Sequence, residues 1–167
     1  MGTYVAGLQH LSNGWQELIK PPSPAFGANF TRVVPVETYE RVVALRYQLA
    51  TSAVVGNRFP QIRFADQDGS DFLRSAGAGT IVASASVLPS LVVNGAGNVG
   101  GTTGDTFGTL PDLLLPPLYS ISIAVAGIDA GDQISNIRMI IQRIPADVAS
   151  GDRYYEVLEA WRAMAGG

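Results

Sequence analysis

The stretch Leu118-Tyr-Ser-Ile-Ser-Ile-Ala-Val-Ala126, Gly127-Ile-Asp-Ala-Gly-Asp132, Gln133-Ile-Ser-Asn-Ile-Arg-Met-Ile-Ile-Gln-Arg-Ile144 decides the fold class. In its first arm Tyr119, Ile121, Ile123 and Val125 share one face, and small residues take the other. A period of two with β-branched residues on the heavy side marks a half-buried strand. Two glycines and two aspartates between the arms reverse the chain at low cost, so a hairpin over Leu118–Ile144 is expected. The second arm places Ile137, Met139 and Ile141 on one face and Ile134, Ile140 and Ile144 on the other. Such a strand is buried on both sides over part of its length.

Outward from this pair the pattern repeats. Strands are expected over Asn29–Glu37, Arg41–Ser52, Arg58–Ala65, Phe72–Ser75, Thr80–Ser86 and Leu88–Asn94, with Val43, Leu45, Tyr47 and Leu49 sharing a face. Pro60 cannot donate to a ladder, which marks its strand as an edge or as bulged. Asp66-Gln-Asp-Gly-Ser-Asp71 reads as a turn, and the glycine-rich run 95–109 as a loop. Seven to nine short strands without intervening helices define an all-β chain, an antiparallel two-sheet β-sandwich of jelly-roll type.

Two attachments flank the sandwich at 29–145. Residues 1–28 form an arm, with one or two helical turns over Ser12–Lys20 presenting Trp15, Leu18 and Ile19. Pro21-Pro-Ser-Pro24 ends them and holds the connection extended. Residues 146–167 form a C-terminal α-helix whose stripe is Tyr154, Val157, Leu158, Trp161 and Met164. Trp15, Leu18, Ile19, Tyr154, Leu158, Trp161 and Met164 are therefore the interface candidates, either against the chain's own sandwich or against a neighbour.

Composition bounds the function. In 167 residues the apolar fraction is 47% and the charged fraction 15%, against roughly 25% in ordinary domains. Ten of the eleven basic residues are arginine, and Lys20 is the one lysine. Interfaces retain arginine and lose lysine, glutamate and aspartate, although arginine codons favoured by a GC-rich genome give the same count. A net charge of −3 and the lack of a basic cluster argue against nucleic acid as a partner. No apolar run is long enough to span a bilayer, and no signal-peptide pattern opens the chain, so synthesis in a cytoplasm is expected.

Chemistry-bearing motifs are sparse. Gly95-Ala-Gly-Asn-Val-Gly100 has dinucleotide-site spacing, yet glycines, threonines and Pro111 follow where a helix must begin. Asp66, Asp68 and Asp71 lack the glycine and glutamate positions of a calcium loop and read as a solvated turn. His10 is the single histidine and there is no cysteine. Glu37/Glu40, Asp129/Asp132 and Glu156/Glu159 remain as carboxylate pairs with nothing marking them as buried. The expectation is a non-enzyme with no catalytic, cofactor-binding or metal residues. It is either a structural part of a larger assembly or a sugar-binding sandwich with Tyr47, Tyr119, Phe59 or Phe107 as a stacking platform.

The run from Glu40 through Arg41-Val-Val-Ala-Leu-Arg-Tyr-Gln-Leu-Ala to Asp66 resembles small virion proteins of tailed bacteriophages. So do Leu113-Leu-Leu-Pro-Pro-Leu-Tyr119 and Ala130-Gly-Asp-Gln-Ile-Ser-Asn-Ile137. The resemblance covers about residues 38–144 and leaves the arm and the C-terminal segment outside. It implies a jelly-roll or sandwich module of the virion, first a head decoration or cement protein and otherwise a head–tail junction or tail component. Self-association and contact with the major capsid protein are implied as well, and no binding residue is transferred.

Overall fold

In the computed structural model, which describes residues 15–76, 80–93 and 104–146, the strands divide between two sheets. In chain order they are β1 (Trp15–Ile19), β2 (Phe30–Val33), β3 (Thr38–Ala50), β4 (Phe59–Ala65) and β5 (Asp71–Ala76). Then follow β6 (Ser86–Val93), β7 (Gly104–Leu110), β8 (Leu114–Leu115), β9 (Ser120–Ala126) and β10 (Gln133–Pro145). The larger sheet runs β1-β10-β3-β6-β7 with β8 also on β3, and the smaller runs β2-β9-β4-β5. All pairs are antiparallel except β6 with β7. The all-β sandwich is thus present. The expected C-terminal helix, with Tyr154, Leu158, Trp161 and Met164, lies outside the described residues.

The deciding stretch does form two strands, but they do not pair with each other. β9 lies in the smaller sheet between β2 and β4, whereas β10 lies in the larger between β1 and β3. Gly127–Asp132 is therefore an arch that carries the chain across the core rather than a hairpin turn. Alternation reports that a strand has one buried face; it carries no information about which neighbour supplies the ladder. Ile121, Ile123 and Val125 do face the core, as their period requires.

Two bulges explain the double-sided look of β10. Asn136 and Ile137 together oppose Tyr47, with Asn136 at φ +50°, so the parity of β10 shifts by one there. Ile134 and Ile137 consequently both point inward beside Met139 and Ile141. On β3 the extra residue is Val43, between the pairs Ile140↔Ala44 and Ile141↔Val42. Val42, rather than Val43, joins Leu45, Tyr47 and Leu49 in the core. Ile140 faces outward and Ile144 is buried outside the central cluster.

Three further segments depart from expectation. Trp15–Ile19 is a strand on the edge of the larger sheet instead of helical turns, with Glu17 and Ile19 on the inward side. Five residues followed by prolines gain more from a ready-made ladder than from a helix this short. Gly104–Leu110 is a strand paired in parallel with β6, not loop. Of Thr80–Ser86, only Ile81, in a bridge to Arg58, and Ser86, the first residue of β6, are paired. Pro60 is in neither an edge strand nor a bulge: β4 is interior, and its pairing with β5 begins one residue later at Gln61.

Candidate functional site

Each end of the sandwich is closed by charged groups. At one end the arch meets the β3–β4 loop. Arg58 donates from Nε to Asp132 Oδ2 (2.8 Å) and from Nη2 to Asp132 Oδ1 and Ser52 Oγ (each 3.1 Å). Its Nη1 donates to the carbonyls of Val54 (2.9 Å) and Gly56 (2.7 Å). Asp132 also accepts the backbone amides of Ser52 and Asp129. Both side chains are essentially inaccessible.

The cost of desolvating this pair is met by a complete set of partners. The hydrogen bonds that Arg58 donates to Asp132 raise the Arg58 pKa. Burial pushes the Asp132 carboxyl upward, but the bonds from Arg58 and from the Ser52 and Asp129 amides outweigh it and leave the pKa below the ordinary value. Asp129 is lowered as well, first by the Gly131 amide and then by the Ser52 hydroxyl. These aspartates, unmarked in the sequence, are half of a structural latch.

At the opposite end Glu40 on β3 is buried between Arg32 of β2 and Arg143 of β10. Arg32 Nη2 donates to Oε1 at 2.7 Å, and Arg143 Nε donates to the same oxygen at 2.8 Å. Arg143 also binds Glu17 on β1, so this cluster ties the edge strand and both sheets together. The backbone carbonyl of Glu37, the other member of that expected carboxylate pair, accepts the Ala146 amide.

The outer face of the larger sheet carries a different feature. Register places Leu18 beside Ile140, Ile140 beside Ala44 and Ala44 beside Val92. This apolar row crosses four strands, about 14 Å at the usual strand spacing. Leu18 is 56%, Ile140 38% and Val92 45% exposed. Arg138 and Arg46 form the adjacent row on one side. Among the interface candidates, Leu18 therefore stands in an exposed apolar strip, while Ile19 packs against the core. Only the backbone of Trp15 is placed, opposite Arg143. Ile140, Val92 and Ala44 were missed because the bulge at Val43 had to be known before the row could be assembled.

The outer face of the smaller sheet holds a shallow groove of about 310 Å³ over Thr31, Ser120, Ser122 and Ala124, with Arg63 and Asp71 on its wall. Thr31 and Ser122 share a hydrogen bond of 2.9 Å. Asp71 pairs with Arg74 at 2.9 Å and lies 3.6 Å from Arg63. Phe59 is exposed, and Phe72 meets Tyr119 edge-on at 5.8 Å between ring centroids. Tyr47 is fully buried and cannot act as a platform. The side chain of Phe107 lies outside the described residues, as do His10, Gly95–Gly100 and Glu156/Glu159.

The aspartate turn uses its carboxylates locally. Asp66 Oδ1 accepts the amides of Asp68 (3.0 Å) and Ser70 (2.9 Å), and Asp71 faces the two arginines. Among the described residues no group of three His, Cys, Asp or Glu could hold a metal ion, and no helix is long and apolar enough to cross a membrane. Comparison with known proteins finds no matching family model, curated protein or solved structure.

Proposed function

We propose that the chain is a non-enzymatic structural component of a virion, a decoration or cement module that self-associates and seats on a protein shell. The observation that carries this reading is the apolar row of exposed Leu18, Ile140 and Val92 with half-buried Ala44 between them, built jointly by the N-terminal strand and the body. A continuous apolar strip on a rigid sheet face is what a protein partner covers. The charged groups nearest to being catalytic are engaged in the latches at either end, which makes the body a stiff spacer. Many copies on one shell make weak contacts additive.

The test is cosedimentation of the purified chain with shells from its source particle, together with its own sedimentation velocity. Ile140→Lys with Val92→Lys is expected to abolish association with Tm changed by less than about 3 °C, because both side chains point away from the core. Undiminished association would sink the reading.

The groove on the smaller sheet favours one alternative, a carbohydrate-binding sandwich in which the Thr31, Ser120 and Ser122 hydroxyls, Asp71 and Arg63 bind a sugar. Retention on immobilised glycans, lost in Asp71→Ala, would support it; passage through the column unretained would dismiss it.

A further inference from the structure

We propose that the groove on the smaller sheet holds the carboxylate of an acidic sugar, selected by Arg63. The inference rests on the carbohydrate reading above and narrows it to one chemical class. The apolar row belongs to the other sheet, so shell docking is a separate matter.

The groove follows from the alternation of β9. Its outward residues Ser120, Ser122 and Ala124 are small, and β9 is an interior strand, so the middle of this face is low. Longer side chains stand on the strands at either side. Register sets Thr31, Ser122, Arg63 and Arg74 in one row across all four strands. Two guanidiniums directly opposite on neighbouring strands repel, and one carboxylate serves both. Asp71 Oδ2 accepts from Arg74 Nε at 3.0 Å and lies 2.9 Å from its Nη2. Arg63 Nη1 stands 3.6 Å from the same oxygen, beyond hydrogen-bond reach. Arg63 Nε is buried with no acceptor among the described residues. Arg63 is therefore the less satisfied cation of the two, and it is the one that lines the groove.

The surrounding groups suit a polyhydroxy acid. Asn29 Oδ1 accepts the Val125 amide at 2.9 Å, which leaves the Nδ2 hydrogens as donors. Thr31 and Ser122 share one hydroxyl proton across 2.9 Å, so the second remains to donate. The ion contacts of Asp71 all end on Oδ2, and Oδ1 is left to accept from sugar hydroxyls. A carboxylate meets a guanidinium with two parallel charge-assisted bonds, a contact that a neutral sugar cannot make. Among the described residues the lining has no aromatic ring, so stacking does not hold a neutral sugar here and selection falls to charge. A small zwitterion such as an amino acid would fill only the Arg63–Asp71 corner of a groove of about 310 Å³.

The test is an NMR titration of the isotope-labelled full chain with D-glucuronate, D-glucose, acetate and glycine at constant ionic strength. Glucuronate is expected to bind at least about tenfold more tightly than any of the other three, and Arg63→Gln to remove that preference. Ser122→Ala, a small change on an outward face, is expected to weaken glucuronate about threefold and serves should Arg63→Gln fail to fold. Glucose binding as tightly as glucuronate, unchanged in either variant, overturns the selection of acid and leaves the carbohydrate reading standing. Acetate or glycine binding as tightly as glucuronate overturns it from the other side, since the site would then take any carboxylate. No response to any probe fails both readings of the groove.

Discussion

Arg58 and Asp132, 74 residues apart in sequence, meet as a fully buried pair in which all five guanidinium N–H groups have acceptors. The pair joins the loop after β3 to the arch before β10. Those two segments must stay together for β9 and β10 to remain in different sheets. Its role is positional: an apolar pair could give comparable stability, but the charged pair specifies which loop faces which.

Arg58→Met should consequently be among the most damaging single changes in the body, since it leaves the Asp132 carboxylate buried without its cation. A fall in Tm of roughly 6–12 °C is expected by differential scanning calorimetry. The double variant R58M/D132L should recover much of that loss. A double variant no better than the single would show that the pair is not acting as a unit.

Acid should weaken the same end. Asp129 and Asp132 both have folded-state pKa values below the ordinary 3.8. Groups lowered on folding stabilise above their unfolded value, and that contribution is lost as pH falls through the folded value. Tm should therefore hold steady down to about pH 4 and decline below it. Asp132→Asn, which cannot titrate, should show a shallower acid decline from a lower starting Tm. An identical slope would place the acid sensitivity elsewhere.

Tyr47 makes the opposite prediction at high pH. Its hydroxyl is buried without a hydrogen-bond partner among the described residues, and burial pushes its pKa well above the ordinary value of 10.0. A pKa raised on folding means stability is intact below the unfolded value and is lost as pH rises above about 10. Tyr47→Phe removes an unsatisfied buried group and should stabilise by about 1 kcal/mol at pH 7. It should also blunt the alkaline decline, read from urea midpoints at pH 8 and pH 10.5. Destabilisation by the substitution would mean that the hydroxyl has a partner.

Much of the core was legible in the sequence because period two survives wherever no bulge intervenes. Ile121, Ile123 and Val125 on β9, and Leu45, Tyr47 and Leu49 on β3, were read directly. The failures share a cause. One extra residue at Asn136 or Val43 inverts parity downstream, so Ile134 and Val42 appeared on the wrong face. Partner choice was illegible for β9 and β10, because their separation depends on Arg58, distant in sequence. The edge strand Trp15–Ile19 resembled a helical turn because a five-residue window matches either period. Gly104–Leu110 contains three residues that ordinarily signal loop, and only its ladder with β6 makes it a strand. Leu18 and Ile19, grouped together in the sequence as one apolar side, take opposite faces of an edge strand: Leu18 points outward and Ile19 packs against the core.

The arch itself gives the sharpest test of this account. Gly127 ends β9 at φ +77°, and a Cβ added there would come 2.5 Å from Asn57 O, a backbone atom in the loop that contains the latch. Gly69, in the β4–β5 turn, has nearly the same φ of +81° but nothing within 4 Å. The two glycines share the conformational penalty for a side chain and differ only in the collision. Gly69→Ala should cost about 1 kcal/mol from backbone strain alone. Gly127→Ala should cost at least about 3 kcal/mol, because Asn57 cannot retreat without pulling Arg58 from Asp132. Equilibrium urea unfolding of both variants measures the difference. Equal losses would mean that the arch and the β3–β4 loop can separate without disturbing the latch, and that the crossing between sheets is held by something else.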